Sequence, residues 1–211
     1  MGRTEIKKKA WEMIKGNKWY ILKPLLLFDI ILIALFFIVT LILGLTNGNT
    51  EVMNIYLDGV NITSFITCIL VIIYTISYAQ YILDFVRGDK YSFIKSISKV
   101  KSKILLFFVV SLIIGLMIAL GTVLLVIPGI IVSLGHMFYQ YVFVDNKEDR
   151  IGNIIKKSWD VTNGHKSELF VLGLSFIGWI LLSTLTCGIL YIWVIPYMTI
   201  TFALTYEELK K

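Results

Sequence analysis

Apolar residues in this chain gather into long unbroken runs, unlike the short alternations of a half-buried strand or the one-sided stripes of a soluble helix. Six runs approach the roughly 20 residues a helix needs to cross a bilayer. They are about Pro24–Leu45, Ile62–Leu83, Ile104–Val126, Gly129–Val144, Leu169–Thr186 and Ile189–Tyr206. The third and fourth form one stretch from Ile104 to Val144, too long for one crossing, and Ile127-Pro128-Gly129 supplies a break between two. Cys187-Gly188 divides the fifth from the sixth in the same way. The pattern predicts an all-α polytopic membrane protein, one integral-membrane domain over 1–211 with six transmembrane helices as three hairpins, 24–83, 104–144 and 169–206.

Each hairpin is preceded by a basic amphipathic segment, at 1–23, 84–103 and 145–168, and a short tail, 207–211, ends the chain. Ile6, Ala10, Met13 and Ile14 share one face of the first; Phe93, Ile97, Val100 and Ile104 share one in the second; Ile151, Ile154, Ile155, Trp159 and Thr162 share one in the third. With lysines opposite, such helices are expected to lie in the headgroup plane against anionic lipid, the one partner the pattern itself implies. The first and third also match residue by residue. Trp11-Glu12 and Gly16-Asn17-Lys18 answer Trp159-Asp160 and Gly164-His165-Lys166 at an offset of 148. Trp11 and Trp159 read as interfacial anchors, Gly16 and Gly164 as left-handed helix caps, and Lys18 and Lys166 as phosphate-facing charges. The architecture reads as three copies of an amphipathic helix plus hairpin, the middle one diverged.

Composition agrees: 57% of the 211 residues are hydrophobic and 16% charged, well below the quarter usual in soluble domains. The net charge of +6 comes from 20 Lys and Arg, all of which fall before span one, between spans two and three, between spans four and five, or after span six. The opposite loops carry only Glu51 and Asp58. By the positive-inside rule both termini are cytoplasmic, and the basic excess is accounted for without a nucleic-acid partner. The first apolar run is too long for a signal peptide and lacks a cleavage site after Leu45. Cys68 and Cys187 both fall toward the outer leaflet in apolar surroundings and read as packing residues rather than a disulfide.

Polar groups inside the runs are the candidate functional residues. Asp29 is the one acid well within a run, and its plainest role is a pair with Lys23, about 9 Å along the helix. Ser77 and Gln80 lie beside an aromatic stripe of Tyr74, Tyr78, Tyr81 and Phe85. Gly129, Ser133, His136 and Gln140 follow one helical stripe on span four, suited to an interhelical hydrogen bond or a polar path. Ser111, Gly115 and Ala119 form a small-residue face on span three, suited to close packing. Asp84, Asp145 and Glu207 end spans two, four and six at helix C-termini, where a negative charge opposes the macrodipole; they are expected to meet lysines of the amphipathic helices in a ring of charge.

The chain has no H-E-x-x-H, no cysteine pair at metal spacing, no phosphate-cradling glycine loop and no G-x-S-x-G, so no enzyme, metal or cofactor is expected. The residues Lys157-Ser158-Trp159, Gly164-His165-Lys166, Leu172 through Trp179, Thr186 through Ile189, and Pro196-Tyr197 with Tyr206-Glu207-Glu208-Leu209 resemble the bacterial integral-membrane family called domain of unknown function nine-seven-five. Gly16-Asn17-Lys18-Trp19 looks like that family's start. The resemblance implies a mostly uncharacterised multi-span protein of low-GC Gram-positive bacteria, with some similar proteins encoded beside leaderless bacteriocins and assigned to producer immunity. Three functions stand open: immunity to a cationic bacteriocin peptide, met at Glu51 and Asp58; a transporter or channel along His136, Gln140, Ser77, Gln80 and Asp29; and a scaffold or lipid-homeostasis factor. The oligomeric state is not legible.

Overall fold

In the computed structural model every regular element among the described residues is helical, and residues 2–45, 50–89, 92–146, 150–186 and 188–211 are described, the side chains of 42–62 excepted. The helices are α1 (Arg3–Ile14), α2 (Lys18–Leu45), α3 (Thr50–Arg87), α4 (Phe93–Val100), α5 (Ile104–Leu124), α6 (Val126–Gly135), α7 (Tyr139–Asp145), α8 (Ile151–Thr162), α9 (Lys166–Leu185) and α10 (Tyr191–Leu209). A 3-10 turn, Lys101–Lys103, joins α4 to α5.

Five segments are long and apolar enough to cross a membrane: Lys18–Leu41, Thr63–Arg87, Phe93–Leu124, Val126–Asp145 and Lys166–Leu185. Their outer surfaces are studded with exposed Leu, Ile and Phe, including Ile33, Phe36 and Phe37 on α2 and Leu105, Leu120 and Val123 on α5. Exposed apolar area on this scale marks a lipid-facing surface. The helix α10, expected as a sixth span, is not among the five. It is an inner helix that buries Thr201, Thr205 and Tyr206 against its neighbours, and Glu207 and Glu208 in its last turn lower its hydropathy.

The long helices pack in a cyclic order. The inner helices are α3, the pair α6 and α7, and α10. The outer helices are α2, α5 and α9, each touching the inner helix of its own hairpin and that of the preceding one: α2 meets α3 and α10, α5 meets α6 and α3, and α9 meets α10 and α6. The short amphipathic helices complete the cycle, with α4 packed on α3, α8 on α7 and α1 on α10. Adding 148 to the bounds of α1 gives those of α8, and adding 86 carries Ala10, Ile14 and Lys18 onto Ser96, Val100 and Ile104. Each short helix buries one small residue completely at its middle, Ala10, Ser96 and Ser158, so that it can approach the helix beneath.

This packing corrects the placement of the amphipathic helices. Their apolar faces are occupied by protein rather than lipid: Ile6, Ala10 and Ile14 seat on α10, with Trp11 edge-on to Tyr197 at 5.9 Å. On α4 the buried line is Ser96 and Val100, whereas Ile94 is exposed. The span boundaries shift as well. The stretch expected as an outer loop, 46–61, is helical from Thr50 onward, and the 38 residues of α3 extend about 57 Å, far beyond the ~30 Å hydrocarbon core. The turn between α5 and α6 lies at Leu125, in extended backbone, and Pro128 sits in the first turn of α6, where its missing N–H does no harm. That hairpin closes through glycine: a Cβ on Gly129 would stand 2.8 Å from the Thr122 backbone. The small-residue face proposed for span three is not a contact, since Gly115 and Ala119 are exposed; α5 buries Phe107, Val110 and Ile114 instead.

Candidate functional site

Polar side chains converge at the end of the bundle where α3, α7 and α10 finish. Arg87, in the last turn of α3, reaches Glu207 of α10 with Nε at 2.9 Å and Nη2 at 2.5 Å, and Asp145 of α7 with Nη2 at 2.8 Å. The Tyr206 hydroxyl donates to Asp145 at 3.0 Å, and Lys210 also pairs with Asp145. Beside this cluster Asp84, buried, accepts from Gln80 at 2.6 Å and from Lys99 of α4 at 2.7 Å. Carboxylates at helix C-termini face unfavourable dipoles, and the guanidinium in their midst offsets that repulsion with charge-assisted hydrogen bonds. Asp84 meets Lys99 of an amphipathic helix; Asp145 meets Arg87 of α3 and Lys210, and Glu207 meets Arg87. The sequence reading missed Arg87 as a hub, although its place one turn after Asp84 was the available signal.

The second constellation is a break in the fourth span. Its helix stops at Gly135, turns through His136, Met137 and Phe138, and resumes at Tyr139. The backbone around the break is held both from within and from another helix. Val132 receives the backbone N–H of His136 at 3.1 Å and lies 3.0 Å from His136 Nδ1, and the Thr162 hydroxyl of α8 donates to the Gly135 carbonyl at 2.9 Å. Since a carbonyl can only accept, Nδ1 carries the proton in that contact, and Nε2 is left buried without a hydrogen-bond partner. Trp159 packs over the break, its ring 5.5 Å from the imidazole and so close to Gly135 that a Cβ there would overlap it. The expected stripe of Gly129, Ser133, His136 and Gln140 is thus cut in two. Ser133 donates to its own Ile130 carbonyl, His136 faces Trp159, and Gln140 lines a separate recess of about 310 Å³ with Tyr78, Tyr141, Met198 and Thr199.

On α3 the aromatic stripe is real: Phe28 stacks on Tyr74 at 4.1 Å, and Tyr74 on Tyr78 at 5.4 Å. Its hydroxyls repair α2. Pro24 has no N–H for the Tyr20 carbonyl, which instead accepts from the Tyr81 hydroxyl at 2.8 Å. Ser77 is buried, and its hydroxyl has no partner. Asp29 is exposed beside Tyr74 and is not paired with Lys23, which lies 5.7 Å from the Tyr20 ring centre. Cys68 is a free, exposed thiol, so a packing role fails for it; Cys187 lies outside the described residues. The side chains of Glu51 and Asp58 also lie outside them.

The repeat anchors adopt the predicted backbone, with φ of +106° at Gly16 and +80° at Gly164. Their side chains part company. Lys166 stacks on its own Trp159, Nζ 3.1 Å from the ring centre, whereas Lys18 reaches Trp193 of α10 at 3.6 Å. Lys7 lies 4.7 Å from the Phe176 ring centre and donates to Ser175; burial, and then Arg3, push its ammonium below the ordinary lysine range.

Compared with known proteins, residues 122–211 match the family described as Protein of unknown function (DUF975). The match runs from the last turn of α5 through the broken span to the end of the chain, and it agrees with the resemblance seen in the sequence. No curated protein and no solved structure matches the chain.

Proposed function

We propose that this is a non-enzymatic, six-span protein of the bacterial plasma membrane, with both termini cytoplasmic, that protects the cell against cationic membrane-active peptides of the bacteriocin class. The observation that carries this reading is a lateral cleft of about 580 Å³ between α2 and α3, walled by Leu32, Leu35, Phe36 and Val39 and stepped with the hydroxyls of Thr63 and Thr67. An amphipathic peptide helix lays its apolar face into such a groove. Beyond the cleft α3 continues toward Asp58 and Glu51, acids on a segment with no basic residue, which attract a cationic partner. The α9–α10 hairpin, whose second helix of 19 residues is about 28 Å long, supports the sixth crossing. The test is growth of a sensitive bacterium, with and without the protein, across a graded panel of cationic bacteriocins. Selective resistance that is lost in Glu51→Gln/Asp58→Gln supports the reading; unchanged sensitivity despite verified membrane expression ends it.

The break at His136 favours a second reading, transport, because discontinuous spans with buried polar groups are how transporters build midplane sites. In that case His136→Ala abolishes solute or proton flux in proteoliposomes while leaving the fold intact. Loss of fold alone, or full flux, counts against it.

A further inference from the structure

We propose that the first repeat copy holds one anionic glycerophospholipid in an aromatic groove between α1 and α10, with the phosphate on Lys15 and Lys18. This rests on membrane residence but not on peptide defence. Two recesses meet here. The larger, about 660 Å³, is lined by Trp11, Trp179, Leu190, Trp193, Val194 and Tyr197, an almost wholly apolar surface of the size that small-molecule ligands occupy. The smaller, about 180 Å³, shares Trp11 and Trp193 with it and adds Lys15, Gly16 and Lys18. An apolar trough that opens into a pair of ammonium groups matches one chemistry, an acyl chain joined to a phosphodiester. The three tryptophans are each about half exposed, so their faces are available to a chain. Lys18 is held above the Trp193 ring at 3.6 Å, which fixes the charge at the mouth of the groove while leaving N–H donors for an oxyanion. Glu12, the acid nearest in sequence, lines neither recess. The equivalent position in the third copy is built otherwise: Trp159 is committed to the helix break and Lys166 to Trp159. The lysine that recurs at an offset of 148 therefore serves two different ends.

The experiment uses the full chain in a neutral detergent, titrated with phosphatidylglycerol or phosphatidylcholine carrying brominated acyl chains, with tryptophan fluorescence quenching and native mass spectrometry as readouts. The expected result is one retained phosphatidylglycerol per chain, bound at least tenfold more tightly than phosphatidylcholine. Lys15→Gln/Lys18→Gln loses that preference with an unchanged melting temperature, Lys18→Arg keeps it, and Lys166→Gln leaves it untouched. Trp193→Ala weakens both lipids. Equal affinity for the two lipids in the wild type overturns the proposal, as does full preference in Lys15→Gln/Lys18→Gln. Glycerol phosphate competing as well as the intact lipid overturns it too, because the groove then plays no part.

Discussion

The first and third repeat copies share a backbone and differ in what their tryptophan does. Both have a twelve-residue helix, a glycine in the left-handed region and a lysine opening the next helix. In the third copy Trp159 fills the space above Gly135, while Thr162 on the same helix caps the freed carbonyl. In the first, α1 meets α10, which is unbroken between Tyr191 and Leu209, so Trp11 has no break to fill and stands half exposed. A repeated motif thus preserves the local conformation its residues encode, and the element packed against it assigns each side chain a task.

The sharpest way to break this contrast is to remove each tryptophan. Trp159→Ala is expected to destabilise the protein by about 3 kcal/mol, as a large aromatic lost from a packed site does, whereas Trp11→Ala stays within about 0.5 kcal/mol. Reversible denaturation in mixed micelles measures both, and equal losses would mean that the copies are packed alike. Next in size, Arg87→Gln removes the cation shared by Asp145 and Glu207, leaving Asp145 with Tyr206 and Lys210, and is expected to cost about 2 kcal/mol, the scale of charged hydrogen bonds. Lys99→Gln costs less, because the Lys99 side chain is 53% exposed in its pair with Asp84. Gly135→Ala drives a methyl into Trp159 and is expected to cost about 1–2 kcal/mol. That loss should shrink in a Trp159→Ala background, and a double-mutant cycle reading no coupling would refute the contact. The control on the comparison comes last. Gly16→Ala and Gly164→Ala each cost about 1 kcal/mol, and cost the same, since both positions have positive φ and open space around a Cβ.

Much of this was legible in residue pattern because it depends on near neighbours in the chain. The apolar runs, the glycine caps and the copy offset of 148 all reappear in the helix bounds. The break at His136 was not legible: Val132 to Tyr139 reads as continuous helix, and the Gly135 carbonyl is capped by Thr162, 27 residues away. The stripe joining His136 to Gln140 failed for the same reason, since a three-residue turn rotates everything after it. Arg87 was counted among topogenic charges because its two carboxylates lie 58 and 120 residues away. The apolar run starts at Pro24, but α2 begins at Lys18, with the carbonyl that Pro24 frees satisfied by Tyr81.

Hydropathy over twenty-residue windows and the placement of lysines are local sums, so the sequence by itself determined that this chain is helical and apolar enough for a membrane. Which face of an amphipathic helix meets protein and which meets lipid depends on helices brought together from distant segments. Only the tertiary structure decided that the short helices close a ring on α3, α7 and α10, that one copy's tryptophan seals a broken helix, and that the other's borders a groove.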